Sequence, residues 1–373
     1  MPPEKPTHPS WTPRPILTSW DDLLDGVAGP EDWNRKRAAI RVRFGELLRE
    51  AARPPLPGDP GLQLERVWDA GGFTLKRISY RVEADERAHA YLALPLAPPP
   101  PGGYPAVVCL HGTSNWGARA LVGLPPPADD PDAKKPRRGS GLARLLALRG
   151  YAVICPEHFV SATRRPPEGP YETAAFYRKH PNWSAVGKYV HDSQQALNVL
   201  AAQPEVDPAR IGVTGHSLGG QGSIWLAAFD ERIRCCAPSC AAHTFRENPE
   251  PLHWSRDYWY IYFPQLRERF LRGERIECDF HEQMSLIAPR PLFERFALND
   301  GPAASQAHRT TLHLKLREVY RLLGAEAAHA FLVFGDGHAV TDLSREATLS
   351  WLDRWLKHAG DPLGAWSDEP ARE

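Results

Sequence analysis

The chain has no surplus charge of either sign: 45 Lys and Arg residues balance 45 Asp and Glu residues over 373 positions. That balance gives no electrostatic reason to expect nucleic acid or an anionic membrane as a partner, and no basic segment with interleaved aromatics occurs. No apolar run approaches membrane-spanning length, and the start Met1-Pro2-Pro3-Glu4-Lys5-Pro6 lacks the apolar core of a signal peptide. These absences lead us to expect a cytoplasmic protein. Cysteine is sparse. Cys109, Cys155, Cys235, Cys236, Cys240 and Cys278 show no framework spacing, and most fall in apolar, strand-like runs that suit buried free thiols. Neither they nor the histidines form a metal-ligand cluster of familiar spacing, and there is no glycine-rich phosphate loop, so we expect no metal and no cofactor. Internal repeats are absent as well.

What the chain does have is Gly215-His216-Ser217-Leu218-Gly219, preceded by the apolar run Ile211-Gly212-Val213-Thr214 and followed by a helix-compatible run from Gly220 to Phe229. A bare Gly-x-Ser-x-Gly occurs by chance in many chains, but here strand, turn and helix stand in the right order for a nucleophile elbow. A serine hydroxyl attacks a carbonyl only if it stands clear of its own backbone, and a sharp strand-to-helix turn provides that. Such a turn crowds its flanks, so Gly215 and Gly219 fit positions where a Cβ would clash. The helix behind the serine aims free N–H groups at it, which makes the N–H of Leu218 a candidate oxyanion donor.

A base and an acid are then required. His338 lies in Phe334-Gly335-Asp336-Gly337-His338-Ala339, between the apolar run Ala330-Phe331-Leu332-Val333 and a helical stretch from Asp342 to Lys357. In this order of triad members the histidine arrives last, on the loop after the final strand, so His338 is the expected base. His216 adjoins the serine and points away from it on such a turn, so we expect a packing role there. For the acid, the segment from Pro289 to Gly301 reads as a strand ending at a carboxylate, and Asp300 is expected to accept the Nδ1 proton of His338. Asp336 reads as a loop residue. The second oxyanion donor is expected after the strand Ala106-Val107-Val108-Cys109-Leu110, where Gly112 permits a tight turn and the N–H of Thr113 is our choice. His111 is expected to be structural.

The chain resembles the α/β-hydrolase superfamily, and more narrowly the bacterial dienelactone-hydrolase-like and acetyl xylan esterase-like serine esterases. The residues that carry the narrower resemblance are Val190-His191-Asp192, the run Arg210 to Ser217, Asp279-Phe280-His281-Glu282, Ile287-Ala288-Pro289-Arg290-Pro291 and Gly337-His338. His111-Gly112-Thr113 departs from the His-Gly-Gly-Gly pattern of one large esterase and lipase group. The resemblance implies an esterase with Ser217, Asp300 and His338 as its triad, and no particular ester; small esters are expected because the chain has no apolar surface helix suited to lipid and the aromatic stretch from His253 to Phe263 could narrow the pocket over Ser217.

Along the chain, alternating strands and helices imply an α/β-hydrolase fold: a mainly parallel sheet with helices on both faces and the active site at the carboxyl ends of its strands. Residues 1–64 read as an N-terminal arm and a helix packing on the core, 65–360 as the catalytic domain and 361–373 as a tail. Insertions about 117–138 and 241–284 exceed the minimal fold. The second is rich in aromatics, and we expect Trp116, Trp254 and Trp259 to contact substrate; packing on the core or on a second copy in a homo-oligomer is an equal alternative. Two other readings use the same fold: a peptidase of the prolyl oligopeptidase kind and a catalytically silent binding protein. No propeller-length segment precedes the elbow, which counts against the first, and an intact triad counts against the second.

Overall fold

Nine strands lie among the described residues; the first four follow one another, and the rest alternate with helices as the sequence pattern requires. The computed structural model describes residues 16–126, 141–246, 252–301 and 303–358. The first part of the arm, residues 127–138 of the first insertion, 247–251 of the second and the tail 361–373 lie outside the described residues. The strands are β1 (Gln63–Asp69), β2 (Phe73–Arg81), β3 (Arg87–Pro95), β4 (Tyr104–Leu110), β5 (Ala152–Pro156), β6 (Val206–His216), β7 (Ile233–Ser239), β8 (Leu292–Ala297) and β9 (His329–Phe334). The helices are α1 (Pro30–Leu48), α2 (Leu142–Leu148), α3 (Ala174–Lys179), α4 (Ala185–Ala201), α5 (Leu218–Phe229), α6 (Leu266–Arg272), α7 (Phe280–Ser285), α8 (Ala303–Leu322) and α9 (Asp342–Leu356).

One sheet runs in the order β1-β2-β3-β5-β4-β6-β7-β8-β9. The pairs from β1 to β5 are antiparallel, and every pair from β5 through β4 and β6 to β9 is parallel. A parallel strand covered on both faces reads as a continuous apolar run, and every residue of β4 is buried. Its alternate side chains feed opposite cores. Ala106, Val108 and Leu110 join the layer containing α1, α4 and α5, while Val107 and Cys109 join the layer containing α2 and α9.

Helix α1 starts with Pro30 at its first turn, carries Glu31 and Asp32 where the helix dipole favours them, and buries Trp33, Ile40, Phe44 and Leu47 at the spacing the sequence showed. Helix α4 begins at Ala185, ahead of the Val190-His191-Asp192 run. Ser184 caps it by accepting the Gly187 N–H at 2.9 Å, so the first turn needs no polar residue of its own. Strand β1 was not anticipated because nearly all its side chains are exposed and no alternation marks it. Among the described residues no helix is long and apolar enough to cross a membrane.

Candidate active site

The parallel strands deliver their C-terminal ends to one edge of the sheet, and the loops leaving β4, β6, β7, β8 and β9 carry Thr113, Ser217, Cys240, Asp300 and His338 respectively. Ser217 sits between β6 and α5 with φ 58° and ψ −124°, a conformation that non-glycine residues rarely occupy. Two close approaches make that turn feasible. A Cβ on Gly215 would lie 2.3 Å from the Gly219 carbonyl oxygen, and one on Gly219 would lie 2.1 Å from the Leu110 carbonyl oxygen. Neither neighbour can move, because each is backbone. The Ser217 N–H donates to the Ser239 carbonyl at 2.8 Å, tying the turn to the end of β7. Leu218 opens α5, so its N–H has no partner within the helix and faces the serine end.

Asp300 and His338 meet across the ends of β8 and β9: His338 Nδ1 lies 3.0 Å from Asp300 Oδ2. Burial alone would lower the imidazole's affinity for a proton, but the hydrogen bonds and charge supplied by Asp300 and Cys240 outweigh it and push His338 up to about 9. Burial alone would raise Asp300, yet the His338 partner and the Arg309 guanidinium hold it well below the ordinary carboxylate range. Arg309, on α8 and almost fully buried, reaches Asp300 Oδ2 at 3.2 Å and the Ala242 carbonyl at 2.9 Å. The Gln306 amide also donates to the Asp300 carbonyl at 2.6 Å, which fixes the acid's backbone.

His216 packs its ring 4.6 Å from that of His338 and places Nδ1 3.1 Å from the Ser239 hydroxyl. His111 is enclosed: Nδ1 donates to the Gly112 carbonyl at 2.8 Å and Nε2 accepts the His158 N–H at 3.0 Å. One nitrogen donates and the other accepts, so the ring is neutral, and burial pushes its pKa down. The loop after β4 is braced from above by Tyr171, whose hydroxyl accepts the Ser114 N–H at 2.7 Å and lies 3.1 Å from both the Gly112 and Ser114 carbonyls. A Cβ on Gly112 would lie 2.9 Å from the His216 carbonyl oxygen, so this loop passes directly against the elbow.

A model of the dienelactone hydrolase family matches residues 139–248, the stretch that contains the elbow. A curated relative, "Putative hydrolase YtaP" of Bacillus subtilis (strain 168), is 28% identical over 272 residues, which are 73% of this chain and 84% of that protein. Among solved structures, a glucuronoyl esterase from Solibacter usitatus superposes with a TM-score of 0.64 at 18% identity, covering 92% of this chain and 98% of that one. An acetyl xylan esterase from Paenibacillus sp. R4 superposes at 0.51 and 18% identity, covering 90% and 98%. The chain has the α/β-hydrolase fold.

Within this fold the three tryptophans singled out by sequence are not alike. Trp116 sits beside the loop after β4, its N–H bonded to the Ser114 hydroxyl. Trp259 is half-buried, sends Nε1 to the Pro170 carbonyl at 3.0 Å and packs its ring 6.0 Å from that of Tyr171. Trp254 is fully buried among Phe245, Tyr262 and Phe280, so it is a core side chain and not an accessible wall. The same holds for Tyr260, Tyr262 and Phe263, since the aromatic run mostly fills the core next to α4 and α5. Sequence reasoning missed Tyr171, Arg309 and Cys240. Each comes from a segment whose place beside the elbow depends on tertiary packing, and no local spacing announced them.

Tyr171→Phe removes the hydroxyl that braces residues 112–114 while leaving the ring in the core. Removing one oxyanion donor outright costs about 10²–10³ in turnover, so loosening its loop should lower kcat by about tenfold, with KM and Tm little changed. Steady-state kinetics beside a thermal melt would check this; a fall in Tm with kcat intact would assign Tyr171 to stability alone.

Proposed function

We propose that this α/β-hydrolase is a serine esterase of small carboxylic esters, with residues 65–360 as its catalytic unit and residues 1–64 as an arm and helix packed on it. The observation that carries the reading is Ser217 at φ 58° on the N-terminus of α5, on the same sheet edge as an Asp300–His338 pair at 3.0 Å.

In this reading Ser217 Oγ attacks the ester carbonyl and gives its proton to His338 Nε2. Asp300 holds the Nδ1–H tautomer and stabilises the imidazolium, consistent with the upward push on His338. The N–H groups of Leu218 and Thr113 receive the developing oxyanion. Collapse of the tetrahedral intermediate expels the alcohol, which takes the Nε2 proton, and leaves an acyl-Ser217. Water then attacks, His338 removes its proton, and the acid departs.

The ester class finds support in the dienelactone hydrolase match and in structural neighbours described as acetyl xylan and glucuronoyl esterases. Small acyl groups are favoured by the half-buried Trp259, which packs against Tyr171 where that residue braces the loop after β4. A series of nitrophenyl esters from acetate to palmitate, run beside a prolyl anilide, tests the reading through kcat/KM. We expect the maximum at acetate or propionate and anilide turnover at least about 10²-fold lower, because an amine leaves only when a well-placed acid protonates it. A maximum at long chains would move the reading to a lipase, and anilide hydrolysis rivalling acetate would move it to the peptidase alternative.

A further inference from the structure

A third ligand-type atom converges on the Asp300–His338 pair. Cys240 follows β7 with φ 49° and is 1% exposed, and its Sγ lies within 4.8 Å of a carboxylate oxygen of Asp300 and a ring nitrogen of His338, which are within the same distance of each other. No step of the proposed acyl transfer needs a thiol there. We infer that Cys240, Asp300 and His338 form a binding site for a thiophilic divalent cation, zinc above all, whose occupancy switches off hydrolysis at Ser217. The inhibitory consequence rests on the reading of His338 as the base.

The donor set selects the ion. Sulfur, imidazole nitrogen and a single carboxylate oxygen suit zinc, whereas magnesium and calcium demand cages of oxygen. Tetrahedral zinc takes sulfur at about 2.3 Å and nitrogen or oxygen at about 2.1 Å, which sets ligand atoms about 3.3–3.7 Å apart. Asp300 Oδ2 and His338 Nδ1 stand 3.0 Å apart, so capture asks the three side chains to shift by about an ångström or less. The thiol is held on a fixed backbone: the Cys240 N–H donates to the Arg295 carbonyl at 2.7 Å, and Glu294 Oε1 accepts the Ala241 and Ala242 N–H groups at 3.0 and 2.7 Å. The His338 side chain is 37% exposed, but its Nδ1 and the Cys240 thiol are buried, so an ion reaches the donors only as the ring swings outward. Arg309, 3.2 Å from the same Asp300 oxygen, opposes a dication and makes this an inhibitory site of moderate affinity, not a resident one.

The chemistry of inhibition is a matter of protons. Zinc binding at Sγ releases the thiol proton to solvent. As zinc takes Nδ1, the neutral ring's proton passes from Nδ1 to Nε2, while an imidazolium releases its Nδ1 proton and keeps the one on Nε2; either way no lone pair remains on Nε2 to accept the Ser217 proton.

The experiment titrates zinc chloride against nitrophenyl acetate hydrolysis by the full chain in a buffer free of chelator and thiol, with Cys240→Ser and Cys240→Ala alongside. We expect micromolar zinc to reduce wild-type activity at least tenfold, EDTA to restore it, and magnesium and calcium to have no effect. Inhibition is scored against each protein's own zinc-free rate, and on that scale both variants should need at least tenfold more zinc. Cobalt(II) supplies a readout independent of turnover: wild-type protein should show a near-ultraviolet thiolate-to-cobalt charge-transfer band that the variants lack. Equal zinc sensitivity in wild type and variants, or no cobalt band in wild type, overturns the site. A wild type that develops the band but hydrolyses no ester overturns the esterase reading and leaves the cation site standing.

Discussion

Ser217→Ala should fold as the wild type does and lose about six orders of magnitude in kcat. The size follows from the cooperation of the triad: without the nucleophile, base and acid have nothing to activate, and only binding and oxyanion stabilisation remain. Folding should survive because alanine meets the same backbone at φ 58° and ψ −124°, while the contacts that hold the turn are backbone ones, the Ser217 N–H to the Ser239 carbonyl and the glycine approaches at 215 and 219. The measurement pairs ester turnover with labelling by a fluorophosphonate probe, whose adduct should map to Ser217 in the wild type and vanish in the variant. Adducts on another serine, or turnover within tenfold of the wild type, would remove the basis of the esterase reading.

Asp300→Asn should lower kcat by about 10⁴, because an amide in place of the carboxylate can donate to Nδ1 and so favours the tautomer that protonates Nε2. A second effect is specific to this chain. Arg309 is 2% exposed on its side chain and loses the carboxylate of Asp300, though the Ala242 carbonyl still accepts from it at 2.9 Å. An under-satisfied buried cation of this kind costs about 1–3 kcal/mol, so the variant should melt several degrees lower while still populating the folded state at assay temperature. Kinetics well below the melt separate the two effects. Near-normal kcat would dismiss Asp300 as the orienting acid, and the loop after β7 offers no carboxylate between Cys240 and Thr244 to replace it.

Much of this arrangement was legible in the residues because its causes are local. The elbow declares itself through two glycines whose absent Cβ atoms are demanded within a five-residue turn, and the histidine and acid through their places after successive apolar runs. The continuous apolar runs at β4 and β6 likewise reveal buried parallel strands. What stayed hidden depends on partners distant in sequence. Tyr171 braces a loop 57 residues earlier, and Arg309 reaches the carbonyl of a residue 67 positions away, contacts that no window of sequence contains. The aromatic run after His253 was recognisable as something that must be buried, but composition could not say against what; it fills the core beside α4 and α5. Strand β1 escaped because its solvated side chains leave no alternation to read.

The proposed nucleophile and the proposed base are carried on very different supports. Ser217 follows the central strand β6, flanked by β4 and β7 and backed by α5, whose residues are all buried, whereas His338 follows β9, the last strand of the sheet and one whose side chains are mostly only partly covered. Local opening starts where few apolar contacts resist it, so the free energy that holds the proton acceptor in place is a fraction of the free energy that holds the molecule together. On the proposed assignment, catalytic competence is thus set by the peeling of one margin. A chain that has lost its base can still keep the serine, its strained turn and nearly all of its core intact.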